Sequence, residues 1–357
     1  MIQSRFDRVL AEMEQAGLSQ LLISDPLSIL YLTGIENHPV ERFWALLLRS
    51  DGKHVLFSNK LFNLPATPLE VLTLSDGDDI AAHVAPRLSA GKLGVDKNLP
   101  ARFLLPILAA KEGVSAVLGS DCVDNVRACK DETERQLMRR ASEINDICIE
   151  KVAAFIHEGV TEIECARYLD ECYASFGCEG LAFPSIVSFG ANAADPHHAA
   201  DDTVIKEGDC IVIDIGCVKD RYCSDMTRTF FWKKADPRHL KLHDTVREAY
   251  EKAAALVRVG VPLCKVDAAA RDHIAAAGYG AYFTHRLGHF IGMEDHEKGD
   301  VSAQNHAPAQ LHQVFSIEPG IYLPGEFGCR IEDLVIVTED GCEVLNHVDR
   351  RPRILGV

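Results

Sequence analysis

"CIVIDIGCVKDRYCSDMTRTFFW", residues 210–232, carries two apolar runs joined by a polar turn. CIVIDIG (210–216) alternates, CVKDRY (217–222) turns, and CSDMTRTFFW (223–232) resumes the extended pattern. Strand side chains point to opposite faces with a period of two, so the stretch has the form of a long β-hairpin. Two aspartates interrupt it. Asp214 lies among Val and Ile, where an ionised carboxylate is expensive to bury without a partner. Asp225 sits on the returning strand, on one face with Thr227 and Thr229. The bland reading makes each Asp a strand end that caps a turn. Asp214 resists that reading, because apolar residues precede it and Ile215 follows it.

Upstream, residues 3–16 space Phe6, Val9, Leu10 and Met13 helically, and Gly17 stops the helix. Strands are predicted at 20–24, 43–48, 54–58, 92–96 and 114–119, with helices at 79–89 and 102–111. Strands alternating with helices predict an α/β N-terminal layer domain. A boundary is predicted near 122–130, giving domains 1–125 and 126–357. Asp131 with Glu134 reads as an N-cap and its reciprocal partner, opening a helix to about residue 157. Further helices are predicted at 161–176, 238–258 and 264–276 around strands, so the second domain reads as α+β.

Composition bounds the function. A chain of 357 residues exceeds one ordinary core, which predicts two domains. No run of about 18 apolar residues occurs, so no membrane span or membrane partner is predicted. The opening MIQSRFDRVLAEMEQ has charges where a signal peptide needs apolar residues, which leads to an expectation of cytoplasmic location. The net charge of −16 disfavours nucleic acid. Twelve cysteines without a Cys-x-x-Cys pair predict free thiols rather than disulfides or a thiolate zinc site.

Further acids join the aspartates. QVFSIEPGIYLP (313–324) holds Glu318 after an apolar strand and before Pro-Gly. FGCRIEDLVIVTEDG (327–341) holds Glu332 and Asp333 at the start of another. THRLGHFIGMEDHE (284–297) crowds three histidines and three acids into fourteen positions broken by Gly288 and Gly292. Carboxylates in four β-rich stretches need counter-cations, and no comparable excess of Lys or Arg lies within these strands, Arg228 and Arg330 being the exceptions. Two Asp, two Glu and one His form a hard, oxygen-rich set suited to manganese, cobalt or iron, and admitting zinc. Four negative charges suit two divalent ions sharing carboxylates, and such a pair performs metal-assisted hydrolysis.

IDIG, SDMTRT, HRLGHFIGMEDHE, SIEPG and RIED, in that order, resemble the pita-bread metallopeptidases: prolidase, aminopeptidase P and their relatives. The resemblance covers about residues 131–350 and implies a creatinase/prolidase-type N-terminal domain before a pita-bread catalytic domain. It implies that Asp214 binds one metal, that His289 and Glu318 bind the other, and that Asp225 and Glu332 bridge both. It implies that His197 (in DPHH), His285 and His296 touch substrate, that Glu318 is the general base and that Arg330 steadies the site beside Glu332. Gly288 and Gly292 would permit close backbone approach around His289. Glu294, Asp295 and Glu297 are read as supporting or surface acids, and Cys217 and Cys223 as small packing residues.

The complete ligand set separates the chain from creatinase, and the large N-terminal domain separates it from methionine aminopeptidases. The resemblance thus implies a homodimeric Xaa-Pro dipeptidase (prolidase) acting on small peptides with proline second. Alternatives are an Xaa-Pro aminopeptidase, a non-hydrolytic scaffold, and a hydrolase of non-peptide amides. TGIENHPVERF (33–43) is similar to a loop that in some prolidases reaches the partner's site, which makes His38, Glu41 and Arg42 candidate substrate contacts. Two departures stand out. HEKGDVSAQNHAPAQ (296–310) lacks the arginine that reads the substrate carboxylate in many prolidases, leaving Lys298 as a candidate point charge. The familiar HGxGH is HRLGH here, which narrows or recharges the approach to the metals.

Overall fold

The first 127 residues assemble around a six-stranded mixed sheet in the computed structural model, which describes residues 1–357. The strands run, in spatial order, Glu70–Leu74, Val55–Asn59, Ala45–Arg49, Gln20–Ile23, Gly91–Val95 and Val114–Leu118. Gln20–Ile23 pairs antiparallel with Ala45–Arg49 and parallel with Gly91–Val95, so the centre of the sheet is where strand direction changes. Strand parity aims Ala45 and Leu47 at one core with Leu22, Phe57, Leu93 and Ile107. Phe43 meets Phe57 and Phe103 edge-to-face there. Full burial of side chains this size contributes roughly 1.5–3 kcal/mol each.

Three elements of this unit escape the periodicity reading. The helix Pro26–Thr33 is apolar on every side, and its signals lie at its ends. Asp25 accepts from Ser28 N, Pro26 takes the first helical position, and Gly34 closes the helix at φ 73°. Glu70–Leu74 is an exposed edge strand without alternation. A helix, Asp121–Ala128, fills the stretch where the boundary is predicted. The single helix predicted at 79–89 is instead Ile80–Val84 followed by a 3₁₀ turn, Ala85–Arg87, because Pro86 has no N–H to continue the ladder.

The second unit, Ala128–Val357, contains the hairpin. Cys210–Ile215 and Met226–Trp232 pair antiparallel with Asp214 opposite Thr227. The tip folds into Cys217–Lys219 against Tyr222–Cys223, turning through Asp220 and Arg221 at φ 48° and 70°. Positive φ at both central residues matches the right-handed strand twist. Both faces of the hairpin are buried. Cys210, Val212 and Phe231 enter one core with Leu242, Val246, Leu287 and Phe315. Ile211, Ile213, Phe230 and Trp232 enter the other with Ile144, Cys148 and Leu169. The strand Ile354–Leu355 and the strand Ile186–Phe189 complete this four-stranded sheet.

Two helix pairs cover the cores: Glu132–Phe155 with Glu162–Ser175, and Pro237–Ala254 with Leu263–Ala276. Asp131 and Glu134 form the reciprocal cap at the first helix start, and Thr161 and Glu164 repeat it at the second. A five-stranded sheet runs Glu297–Val301, Gly288–Phe290, Val314–Ile317, Asp333–Val337 and Cys342–Val344. Its register slips between His289 and Phe290 opposite Asp300 and Glu297, a bulge that re-aims the strand at His289. The short hairpin Gly320–Leu323/Phe327–Arg330 adjoins it. No helix is long and apolar enough to cross a membrane.

Candidate active site

Five acidic or imidazole groups from separate strands meet where these sheets end. Asp214 stands near the end of its strand, and Asp225 just precedes the returning strand. His289 leaves the bulged strand, Glu318 follows Val314–Ile317, and Glu332 lies between Phe327–Arg330 and Asp333–Val337. Ligating atoms of Asp225, His289 and Glu332 all lie within 4.8 Å of one another. His289 Nε2 is 3.3 Å from Asp225 Oδ2 and 3.7 Å from Glu318 Oε1. Thr227 donates to Glu332 Oε2 at 2.6 Å, and Glu332 N reaches Thr227 O, so the hairpin register also sets Glu332.

Glycines make this approach work. A Cβ on Gly288 would stand 1.9 Å from Ser316 O, and one on Gly292 would stand 2.6 Å from Glu297 Oε1. With Gly288 bare, His289 N donates to Ser316 Oγ and Glu318 N to Leu287 O.

The electrostatics of the cluster call for cations. Burial, then Glu332 and Asp214, push the Asp225 carboxyl well above the usual carboxylate range. Burial, then Glu318 and Asp214, do the same to Glu332. Glu318 is pushed up to about 8, chiefly by burial and partly by Asp214, with Arg330 opposing. Asp214 Oδ1 and Asp225 Oδ1 are buried without a hydrogen-bond donor. Burial, His296 and Arg286 lower His289 to about 3, so its imidazole is neutral. Its Nδ1 faces Phe290 O at 3.3 Å, which leaves the Nε2 lone pair toward the acids. Orphaned carboxylate oxygens beside a neutral imidazole are what a divalent-metal site requires.

Strand parity separates neighbours that look equivalent in RIED. Glu332 turns into the site, whereas Asp333 turns away to accept from Arg228 Nη2 at 2.6 Å. Arg330 is buried, but its guanidinium pairs with Asp214 Oδ2 rather than Glu332, and also donates to Tyr322 Oη at 2.8 Å and Thr227 Oγ1 at 3.0 Å.

The cluster opens into a cavity of about 690 Å³ with an apolar wall that includes Ile163, Leu181, Phe183, Pro184 and Ile186. His197, His285 and His296 all line it. His197 is exposed. Its neighbour His198 is tied at 2.7 Å to the buried Glu162. His296 stacks obliquely on His289, ring centroids 4.1 Å apart. His285 lines the cavity with its ring held from within the chain. Its Nδ1 meets Arg286 O at 2.7 Å and its Nε2 meets Tyr322 Oη at 3.0 Å, so both ring nitrogens are engaged within the chain.

Several residues carry a weight that the sequence does not single out. Asp295, read as a supporting acid, lines the cavity, and its carboxylate lies within 4.8 Å of the ring nitrogens of His289 and His296. Burial and Asp214 push it up to about 7. Arg286 and Tyr322 also adjoin the site. Their signals were at hand in HRLGH and in GIYLP directly after SIEPG. Glu297 instead makes a buried pair with Lys130, Nζ to Oε2 2.8 Å.

Other candidates lie elsewhere. Lys298, the suggested carboxylate reader, is exposed and does not line the cavity. His38, Glu41 and Arg42 belong to the N-terminal unit, where Arg42 forks onto Asp76 at 2.9 and 3.0 Å. All twelve cysteines are free thiols. Cys217 and Cys223 are buried outside the cavity lining.

A carboxylate-rich cluster with one neutral imidazole, opening into an apolar-walled cavity, defines a metal-dependent hydrolase site. Residues 136–339 match the model of metallopeptidase family M24, and residues 5–129 match the creatinase/prolidase N-terminal domain. An uncharacterized peptidase of Staphylococcus aureus is 33% identical over 357 residues, covering 97% of this chain and all of that protein. The dipeptidase PepE of Mycobacterium ulcerans superposes with a TM-score of 0.94 at 36% identity, over 99% of this chain and 98% of that one. The X-Pro aminopeptidase of Thermotoga maritima superposes with a TM-score of 0.83 at 31% identity, over 97% and 100%. The chain belongs to metallopeptidase family M24, with the pita-bread catalytic fold behind a creatinase/prolidase N-terminal domain. It is a metallopeptidase that uses divalent metal.

Proposed function

We propose that this metallopeptidase is a dinuclear Xaa-Pro dipeptidase, hydrolysing the bond between an N-terminal residue and proline. The observation that carries the reading is the convergence of Asp214, Asp225, His289, Glu318 and Glu332 at the floor of one cavity. Asp214 would hold one ion, His289 and Glu318 the other, and Asp225 and Glu332 both. Two bound divalent cations supply Lewis acidity and lower the pKa of an attacking water. Manganese is the favoured metal for so oxygen-rich a set.

The chain's own groups do the rest. Glu318 takes the proton of the attacking water and returns it to the departing proline nitrogen, within the range of carboxyls that burial has raised. Cation charge beside it opposes that rise and keeps it in its basic form. His197 and His296 face the cavity and bind the substrate carbonyl. His285 holds Tyr322, and Tyr322 accepts from Arg330, so this trio orients the Asp214 side of the cluster. The wall of Leu181, Phe183, Pro184 and Ile186 receives the proline ring and excludes water. In a homodimer, the 33–43 segment would limit substrate length from a second copy. Arg42 is committed to Asp76, which leaves His38 and Glu41 as the outward groups of that segment.

A hydrolysis assay with manganese, comparing Ala-Pro with Ala-Pro-Ala, tests the reading. Cleavage of Ala-Pro with about two metal ions per chain is the expected result. Preference for Ala-Pro-Ala would assign an aminopeptidase instead. Cleavage of neither peptide by the metal-loaded protein would remove the peptidase substrate and leave a non-peptide amide.

A further inference from the structure

Two cationic side chains line the cavity, and they differ in their commitments. Arg330 is buried and spends its donors on Asp214, Tyr322 and Thr227. Arg286 is half-buried on the cavity wall, and its guanidinium makes no hydrogen bond or ion pair within the chain. Only its backbone oxygen is used, by His285. A planar cation with its donors unspent, facing a cavity, has the geometry to take a carboxylate through two parallel hydrogen bonds.

The substrate supplies such a carboxylate. In a dipeptide the terminal carboxylate carbon is two bonds beyond the scissile nitrogen, so its reader must stand beside the proton carrier. Arg286 precedes Gly288 and His289 by two and three positions and lines the same cavity as Glu318. Lys298 does not line the cavity.

We propose that Arg286 reads the free α-carboxylate of the substrate and thereby selects dipeptides over longer chains. This rests on the peptidase reading of the same site. Proline in second place is not required by it, because the carboxylate belongs to any dipeptide. The chain's departure from HGxGH to HRLGH then places the carboxylate reader two residues before the strand that carries His289, in place of an arginine after His296.

The experiment compares free-acid and amide forms of one peptide. Ala-Pro and Ala-Pro amide are assayed with wild type, Arg286→Gln and Arg286→Lys, each loaded with manganese and checked for metal content and thermal midpoint. Wild type is expected to favour the acid. Arg286→Gln is expected to reduce the acid-to-amide ratio of kcat/KM by about 10- to 100-fold, the worth of a charge-assisted pair, mainly through KM. Arg286→Lys restores part of that ratio, as a point charge without a fork. An unchanged ratio in Arg286→Gln, or a wild type indifferent to acid and amide, overturns the proposal. So does efficient cleavage of Glu-Pro amide that is lost in Arg286→Gln, which would give Arg286 an acidic side chain to read.

Failure of the function reading is seen separately. If Ala-Ala is cleaved as well as Ala-Pro, the proline preference falls while Ala-Ala and its amide still test Arg286. If no peptide turns over, calorimetric titration of Ala-Pro and its amide reads the same contrast as binding. Equal affinities overturn the proposal, and an acid preference that Arg286→Gln removes supports it.

Discussion

Lys130 and Glu297 are 1% and 5% exposed at their side chains, and Nζ stands 2.8 Å from Oε2. At that distance the attraction is about 6 kcal/mol for an effective dielectric of 20. Most of it offsets the desolvation of the two ions, so the pair adds little net stability over an apolar replacement. Removing one partner is different. Lys130→Met takes the buried cation away from the Glu297 carboxylate beside Gly292, which also accepts from Met293 N. The cheapest relief is to protonate it. From an ordinary glutamate value of about 4.3, that costs about 3.7 kcal/mol at pH 7 and about 1 kcal/mol at pH 5. Lys130→Met is therefore expected to destabilise the catalytic unit by roughly 3–4 kcal/mol at neutral pH, and by roughly a quarter of that at pH 5. Lys130→Met with Glu297→Gln removes both charges, and is expected to recover at least about half of the loss at pH 7. The assay is urea unfolding followed by Trp232, which is buried in the catalytic unit, in a Trp44→Phe background that silences the N-terminal unit. A loss below about 1 kcal/mol at pH 7, or a loss of equal size at both pH values, would refute the reasoning.

Other predictions follow from the same geometry. Asp225→Asn removes one of the central carboxylates, and is expected to abolish peptide hydrolysis and lower metal content while the protein stays folded by circular dichroism; full activity would sink the metal assignment. Gly288→Ala puts a methyl 1.9 Å from Ser316 O, where backbone cannot yield cheaply. It is expected to cost at least about 3 kcal/mol and to loosen His289, read as a lower thermal midpoint and weaker manganese binding. His243 is buried against Thr229 O and lowered to about 4, chiefly by burial. The unfolded chain takes its proton near pH 6.5 and the folded chain does not, so stability present above 6.5 is lost as pH falls toward 4. A loss of up to about 3 kcal/mol is expected over that window, and His243→Gln is expected to flatten it in acid unfolding curves.

Much of the architecture is legible along the chain because it is local. Alternation in CIVIDIG and the resumed run in SDMTRTFFW describe two strands buried on both faces, and each strand does divide its side chains between two cores. Asp131 with Glu134 announces the helix at Glu132–Phe155, because a capping box is closed by residues three apart. Pro26–Thr33 is missed for the converse reason. It is apolar all round, so periodicity is silent and only Asp25-Pro26 and Gly34 mark its ends.

The sequence by itself determined which residue types are available to the site: carboxylates inside apolar strands, one histidine-rich glycine-punctuated stretch, and too few arginines to neutralise them. What only the tertiary structure decided is which of these meet. Thr227 and Glu332 are 105 residues apart and touch at 2.6 Å because sheet register brings their strands together. One step of strand parity sends Glu332 inward and Asp333 to Arg228. The bulge at His289 aims that ring at Asp225, the cavity takes in Asp295 and Arg286, and Lys298 stays outside it. Strand propensity and capping act within a few residues. Facing and register are settled by burial across the whole sheet, and no window of sequence contains them.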